Sequence, residues 1–138
     1  MIIAQVAVVG EAGAPNYIQH VTSGRHKLLA DEPTERAGGD AGPAPFDYLL
    51  AALGSCTSIT LRMYAERKGL DLGNVSVTLE YIRESKEVAR ITRAVSVSAS
   101  ITEEQRARLA DIIERTPVTL AIKQGVVIAS NVSVGQPA

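Results

Sequence analysis

The sequence predicts an α+β sandwich, antiparallel sheet packed against helices, within a single domain spanning residues 1–138. Three observations carry that prediction. Two stretches in the middle of the chain show period-two alternation, and further strand-like segments stand at its start and end. One run, between Asp47 and Arg62, contains no charged residue and reads as a buried helix. A capping box at residues 102–105 then opens a second helical region. In order, the elements read β-β-β-α-β-β-α-α-β.

The first three strands are "IIAQVAVVG", "YIQHVT" and the shorter "HKLLADE", with turns at Gly10 to Pro15 and at Ser23-Gly24. "PTERAGGDAGPAP", residues 33–45, is too rich in glycine and proline for anything but a loop. It is long for a connection without structure of its own, and such loops are often functional. The long helix begins near Pro45 and stops at Gly69 after Lys68. "VSVTLEYIR" and "ITRAVSVSASI", joined by the polar "ESKEVAR", form a hairpin. In "TEEQ", Thr102 caps and Gln105 reaches back, opening a helix to Arg115 with Leu109, Ile112 and Ile113 as its apolar face. Glu104 and Arg108 are spaced as a supporting i,i+4 pair. "TPVTLAIKQG" is a short helix with Thr116 as N-cap and Pro117 at its first position. "VVIASNVSV" closes the chain as a last strand.

The long helix has apolar residues in every direction: Phe46, Leu49, Leu50 and Leu53 on one side, Ala52, Ile59 and Met63 elsewhere. A helix of that kind wants burial all round. One sheet in so short a chain covers one side only, so the other side is expected to meet a second copy, making a homodimer.

Composition excludes several classes. Net charge is −1 and the basic residues are dispersed, so no positive stripe for nucleic acid is built. A single cysteine excludes an internal disulfide framework and a cysteine-rich zinc site, and it suits a reducing cytoplasm. The N-terminus lacks the basic n-region of a signal peptide. The uncharged run from Tyr48 to Leu61 is shorter than the about 20 residues a membrane helix needs. A soluble cytoplasmic protein is expected, with no membrane partner. His20 and His26 have no further ligand at metal spacing, so no metal and no cofactor are expected. "RAGGDAGPAP" lacks the spacing of a phosphate-binding loop, and no GxSxG elbow is present.

Cys56 is the candidate for chemistry, and two readings of it stand open. Apolar surroundings raise a thiol pKa and make a buried cysteine inert, a small core residue. A nearby cation would instead stabilise the thiolate, and residues 48–61 supply none. Arg36, in the long loop, and Arg25, beside the Ser23-Gly24 turn, are the candidate cations. Each also reads as an ordinary surface arginine. Asp47 is the one carboxylate near the helix start, where it suits the helix dipole. At about 100° per residue, Asp47 and Cys56 lie about 180° apart, on opposite faces of a straight helix.

"GPAPFDYLLAALGSCTSITLRMYAERKGL" resembles the central helix of the OsmC/Ohr family, named for osmotic induction and organic hydroperoxide resistance. "ITEEQRARLADIIERTPVTLAI" resembles that family's later helix pair, and the likeness covers nearly the whole chain. It implies an OsmC-like fold, an intertwined homodimer with long central helices between sheets and sites at the subunit interface. It also implies that Cys56 is the peroxidatic position, with Phe46 and Leu53 on the substrate side. Arg36 falls at the arginine spacing of the OsmC branch; Arg25 in "SGR" resembles that of the Ohr branch and is the runner-up. In typical members the thiolate becomes a sulfenic acid, which a second cysteine condenses to a disulfide. Two departures stand out. Thr116 occupies the position of that resolving cysteine, so no internal disulfide is available. The glutamate that orients the arginine falls at Phe46, with Asp47 one residue off and one methylene shorter.

The resemblance therefore implies a one-cysteine peroxidase for organic hydroperoxides, relying on an external thiol. The alternative is a homodimer of the same fold that binds a small apolar or acyl-chain ligand without turnover.

Overall fold

The protein is described here by a computed structural model over residues 1–135. Five strands and three α-helices follow in the order β1 (Ala7–Val9), β2 (Gln19–Ser23), β3 (His26–Ala30), α1 (Pro45–Lys68), β4 (Val75–Arg83), β5 (Ala89–Val97), α2 (Glu103–Ile112) and α3 (Pro117–Gln124). The chain groups into two compact units, one of Met1–Gly54 with Thr78–Ala94, the other of Ser55–Val77 with the chain from Val95 onward.

The first unit holds an antiparallel sheet in the order β1-β2-β3. Val8 lies opposite Val21, Gln19 opposite Ala30, and Ser23 opposite His26. That register leaves Gly24 and Arg25 as a two-residue turn, and Gly24 takes the left-handed φ of 58° that such a hairpin needs. The start of α1 is fixed locally. Asp47 accepts the Ala44 backbone N–H at 2.9 Å, which is the carboxylate half of a capping box, and the Tyr48 hydroxyl donates to the Leu29 carbonyl of β3. Gly54 lies where a Cβ would stand 2.9 Å from Leu79, so the helix packs against β4 at that point only because a side chain is missing. On the hairpin, Thr92 donates to Glu80 and Arg90 pairs with Glu84.

The second unit has its core at Leu61, Ala65, Leu72 and Leu109, with Val95, Val97, Ile101, Ile112 and Ile113 packed around it. The capping box of α2 is complete: Thr102 Oγ1 accepts the Gln105 N–H at 3.0 Å and Gln105 Oε1 accepts the Thr102 N–H at 2.8 Å. Such a cap contributes about 1 kcal/mol. Arg62 donates to the Gly73 carbonyl at 2.7 Å, in a turn where Gly73 has φ 67° and Ser98 Oγ accepts the Asn74 N–H.

Along α1, residues four apart make a buried row of Leu53, Thr57, Leu61 and Ala65. Ile59 and Met63 are each 56% exposed on a different face. Half of the all-round apolar helix is thus covered within the chain.

Several elements differ from the sequence expectation. Only Ala7–Val9 of "IIAQVAVVG" is strand, because β2 offers partners only from Thr22 to His20. Asp31 and Glu32 leave β3, and Thr34–Arg36 of the expected loop winds into a 3-10 turn. The helix expected to run to Arg115 ends as α2 at Ile112 and tightens to a 3-10 turn over Ile113–Arg115. Arg108 pairs with Asp111 at 3.0 Å, and not with Glu104; Asp111 also takes Arg115 at 2.7 Å. "VVIASNVSV" is not a strand. Among the described residues no neighbouring strand pairs with it, and Val127, Val132 and Val134 are at least 90% exposed.

Leu61 is fully buried, so Leu61→Ala is expected to lower unfolding stability by about 2–5 kcal/mol, the usual range for such a cavity. Urea denaturation checks it; a loss below about 1 kcal/mol would mean that the core collapses onto the site.

Candidate active site

The long loop is organised by a carboxylate. Asp31, 2% exposed, closes β3 and turns both oxygens onto backbone donors. Oδ1 accepts the N–H of Tyr17 at 3.2 Å and of Glu32 at 2.8 Å, while Oδ2 accepts those of Gly39 at 3.2 Å and Ala41 at 3.1 Å. Burial works against ionisation here, but the N–H groups of Ala41, Glu32, Gly39 and Tyr17 outweigh it, so the carboxyl titrates below its ordinary 3.8. The loop's glycines are packed by backbone. A Cβ on Gly38 would stand 1.9 Å from the Glu32 carbonyl oxygen, and one on Gly42 2.5 Å from that of Leu29.

This loop carries Arg36 to the edge of an open cleft of about 680 Å³, lined by Pro33, Glu35, Arg36, Phe46, Asp47, Leu50, Tyr81 and Arg83 among others. Its apolar wall is an aromatic pair, Phe46 and Tyr81, with ring centroids 4.4 Å apart and planes tilted by 38°. Both carboxylates in the cleft are occupied locally, Asp47 with the Ala44 N–H and Glu35 with the Thr34 hydroxyl at 2.8 Å. Among the described residues the guanidinium of Arg36 has no acidic partner and no hydrogen bond. Arg83 lies 5.9 Å from the Tyr81 ring centroid and makes only long contacts, to the Lys86 carbonyl at 3.4 Å and the Tyr81 hydroxyl at 3.5 Å. The cleft thus combines an apolar wall with two guanidiniums free to meet an oxygen-bearing ligand.

Cys56 stands on α1 as a half-buried free thiol, one residue before the fully buried Thr57. It belongs to the second compact unit, whereas Arg36, Phe46 and Asp47 belong to the first. Thr116 is 1% exposed and acts as the cap of α3: its Oγ1 accepts the Thr119 N–H and lies 2.6 Å from the Thr119 hydroxyl. Where the resemblance expects a resolving thiol, this chain has a helix cap.

Of the residues singled out in the sequence, Arg36, Phe46 and Asp47 come together in one cleft. Arg25 sits at the tip of the β2–β3 turn and does not line it. Leu53 is buried, and Leu50 takes the place expected for it on the cleft wall. Tyr81, Arg83 and Asp31 were not visible as site residues. Alternation in "VSVTLEYIR" does assign Tyr81 to a half-buried face, but only the fold brings it to Phe46. For Asp31 one signal existed, a carboxylate between an apolar strand and a loop whose N–H groups need an acceptor. Among the described residues no cluster of His, Cys, Asp or Glu could hold a metal.

A short-stranded sheet, a Gly/Pro loop, one long cysteine-bearing helix, a hairpin and a helix pair define an OsmC-like fold. A family model described as OsmC-like protein matches residues 38–131, and the chain belongs to this family. Among solved structures, an OsmC-like protein from Mycoplasma pneumoniae superposes with TM-score 0.74 at 16% identity, over 87% of this chain and 86% of that one. An organic hydroperoxide resistance protein, OsmC, from Legionella pneumophila gives TM-score 0.66 at 22% identity over 89% and 90%. The organic hydroperoxide resistance protein OhrB of Bacillus subtilis gives 0.63 at 18% over 88% and 91%. No curated protein matches the chain. Among the described residues no helix is long and apolar enough to cross a membrane.

The lowered pKa of Asp31 has a defined sign. Its contribution to stability is present above the unfolded value of 3.8 and is lost as pH falls through the lower folded value. Asp31→Asn is expected to lower the thermal midpoint at neutral pH, with the gap to the wild type closing as pH drops below 3.8. Thermal unfolding across that window checks it, and a gap independent of pH would show that the charge is irrelevant.

Proposed function

We propose that this protein is a one-cysteine thiol peroxidase that reduces organic hydroperoxides, with Cys56 as nucleophile, Arg36 as the cation that serves it, and an external thiol as reductant. The observation that carries this reading is the placement of Cys56. In a family with members named for organic hydroperoxide resistance, the lone thiol is half-buried on the long helix and not sealed in the core. The unpartnered guanidinium of Arg36 beside an apolar wall supports it, since an alkyl or aryl hydroperoxide needs both.

The chemistry balances with one thiol. The Cys56 thiolate attacks the peroxide oxygen distal to carbon, the O–O bond breaks, and the alkoxide leaves and takes a proton to become the alcohol. Cys56 becomes a sulfenic acid. An external thiol then attacks the sulfenic sulfur, releasing water and leaving a mixed disulfide, which a second thiol reduces. Thr116 offers no shortcut, because it has no sulfur and its hydroxyl is engaged in the α3 cap. A reducing cytoplasm would supply such thiols.

A second reading is favoured by one observation: the Phe46–Tyr81 cleft is of ligand size whether or not the thiol reacts. In that reading the protein holds a small apolar or acyl-chain ligand without redox turnover. Intact mass after one equivalent of cumene hydroperoxide, with a sulfenic-acid trap present, separates the two. The peroxidase reading expects a rapid, trap-sensitive gain of one oxygen, absent in Cys56→Ser and about 10²-fold slower in Arg36→Ala, the usual cost of losing one such electrostatic contact. No change over minutes would leave the ligand-holding reading.

We further propose that the working form is a homodimer. Leu49, Ala52, Cys56, Ile59 and Met63 recur along α1 at alternating spacings of three and four, the pattern of a helix–helix seam. Ile59 and Met63 are more than half exposed, and among the described residues segment 126–134 has no strand beside it. A second copy would satisfy both. Sedimentation at micromolar concentration is expected to give a dimer that Ile59→Asp dissociates; a monomeric wild type would overturn the proposal.

A further inference from the structure

We propose that Asp31 is a positioning residue for Arg36: by holding the backbone of the loop from Asp31 to Pro43, its carboxylate sets where the guanidinium stands and thereby the reactivity of Cys56. The proposal rests on the peroxidase reading only in its last step.

Four backbone donors converge on this one side chain from three places in the chain: Tyr17 before β2, Glu32 at the loop entry, and Gly39 and Ala41 near its exit. Two backbone bonds close the same loop, Asp31 N–H to the Pro43 carbonyl at 3.2 Å and Asp40 N–H to the Glu32 carbonyl at 3.1 Å. The result is a compact loop with its ends together and a carboxylate at its centre. Arg36 is the last residue of the 3-10 turn inside it and is followed by Ala37, held at a left-handed φ of 68°. Asp40 is held at φ 56°. Conformations of that kind persist in residues with a Cβ only where the surroundings over-determine them. Here the Ala37 N–H bonds the Thr34 carbonyl and those of Arg36 and Gly38 the Pro33 carbonyl, while Asp31 holds Gly39 and Ala41 on either side of Asp40. The Arg36 side chain makes no bond of its own among the described residues, so its placement depends on the backbone beneath it.

An amide cannot take over this work. In the Asp31→Asn variant the side chain would present an NH₂ to one of the two pairs of N–H donors, so the substitution removes the loop's centre with almost no change in volume. Asp31→Glu retains the acceptors but displaces them by one methylene.

The test is a double-mutant cycle on Cys56 oxidation by cumene hydroperoxide, with Asp31→Asn and Arg36→Ala singly and together. If Asp31 acts through Arg36, Asp31→Asn slows oxidation about tenfold and raises the thiol pKa read from alkylation against pH, yet changes neither when Arg36 is already alanine. An equal loss in both backgrounds would overturn the proposal. A second readout does not involve the thiol: modification of Arg36 by phenylglyoxal, followed by mass spectrometry. Asp31→Asn is expected to change that rate severalfold, and an unchanged rate would also overturn the positioning role. A changed modification rate with unchanged Cys56 oxidation would keep Asp31 as the positioner of Arg36 and remove Arg36 from the proposed oxidation of Cys56. Should Asp31→Asn fail to fold, Asp31→Glu is carried through the same cycle with the same criteria.

Discussion

Four N–H groups meeting one buried carboxylate is the interaction on which the order of the first unit's long loop depends. A loop rich in glycine and proline has few side chains to pack and many backbone groups to satisfy. Asp31 answers that problem with two oxygens that accept from both ends of the loop and from the segment before β2. Ordering the loop costs conformational entropy, and glycines raise that cost. Yet Gly38, Gly39 and Gly42 are needed, because the backbone or a side chain passes where a Cβ would stand. The loop is therefore held by hydrogen bonding together with close backbone packing at its glycines, and a cation carried on it has its Cα fixed by both.

The long helix imposes a different constraint. Its buried row of Leu53, Thr57, Leu61 and Ala65 is the packing face of an ordinary helix, while Ile59 and Met63 leave a second apolar face open. Cys56 belongs to the phase of the open face and sits one residue from the buried row. A thiol so placed is neither sealed nor surrounded by water. A thiolate there would need its charge balanced from another segment, since residues 48–61 carry no cation.

How much of this was legible follows from which interactions are local. Helix limits at Pro45 and Lys68, the Thr102–Gln105 box and the Thr116–Pro117 start of α3 are decided by neighbouring residues, and the sequence shows all of them. Cys56 and Arg36 stood out because each is rare in its stretch. Strand ends were less legible, since a strand exists only where a partner does: Ile2 and Ile3 are apolar but meet nothing in β2, and segment 126–134 has no partner among the described residues. The Phe46–Tyr81 contact joins a helix start to a distant strand and has no sequence signature. Asp31 was hidden for another reason. Its donors are backbone groups, which every residue has, so no pattern of side chains announces them.

Thr116, at the position where the family resemblance implies a resolving thiol, constrains the catalytic cycle proposed above. In this chain that position is sealed and its hydroxyl holds the first turn of α3, a task in which threonine is far better than cysteine. Thr116 therefore supports the helix pair and, having no sulfur, offers no internal disulfide. A sulfenic acid without a neighbouring thiol is exposed to a second peroxide, which would carry it to the irreversible sulfinic acid. Survival then depends on how the outside thiol and the peroxide compete for the same sulfur.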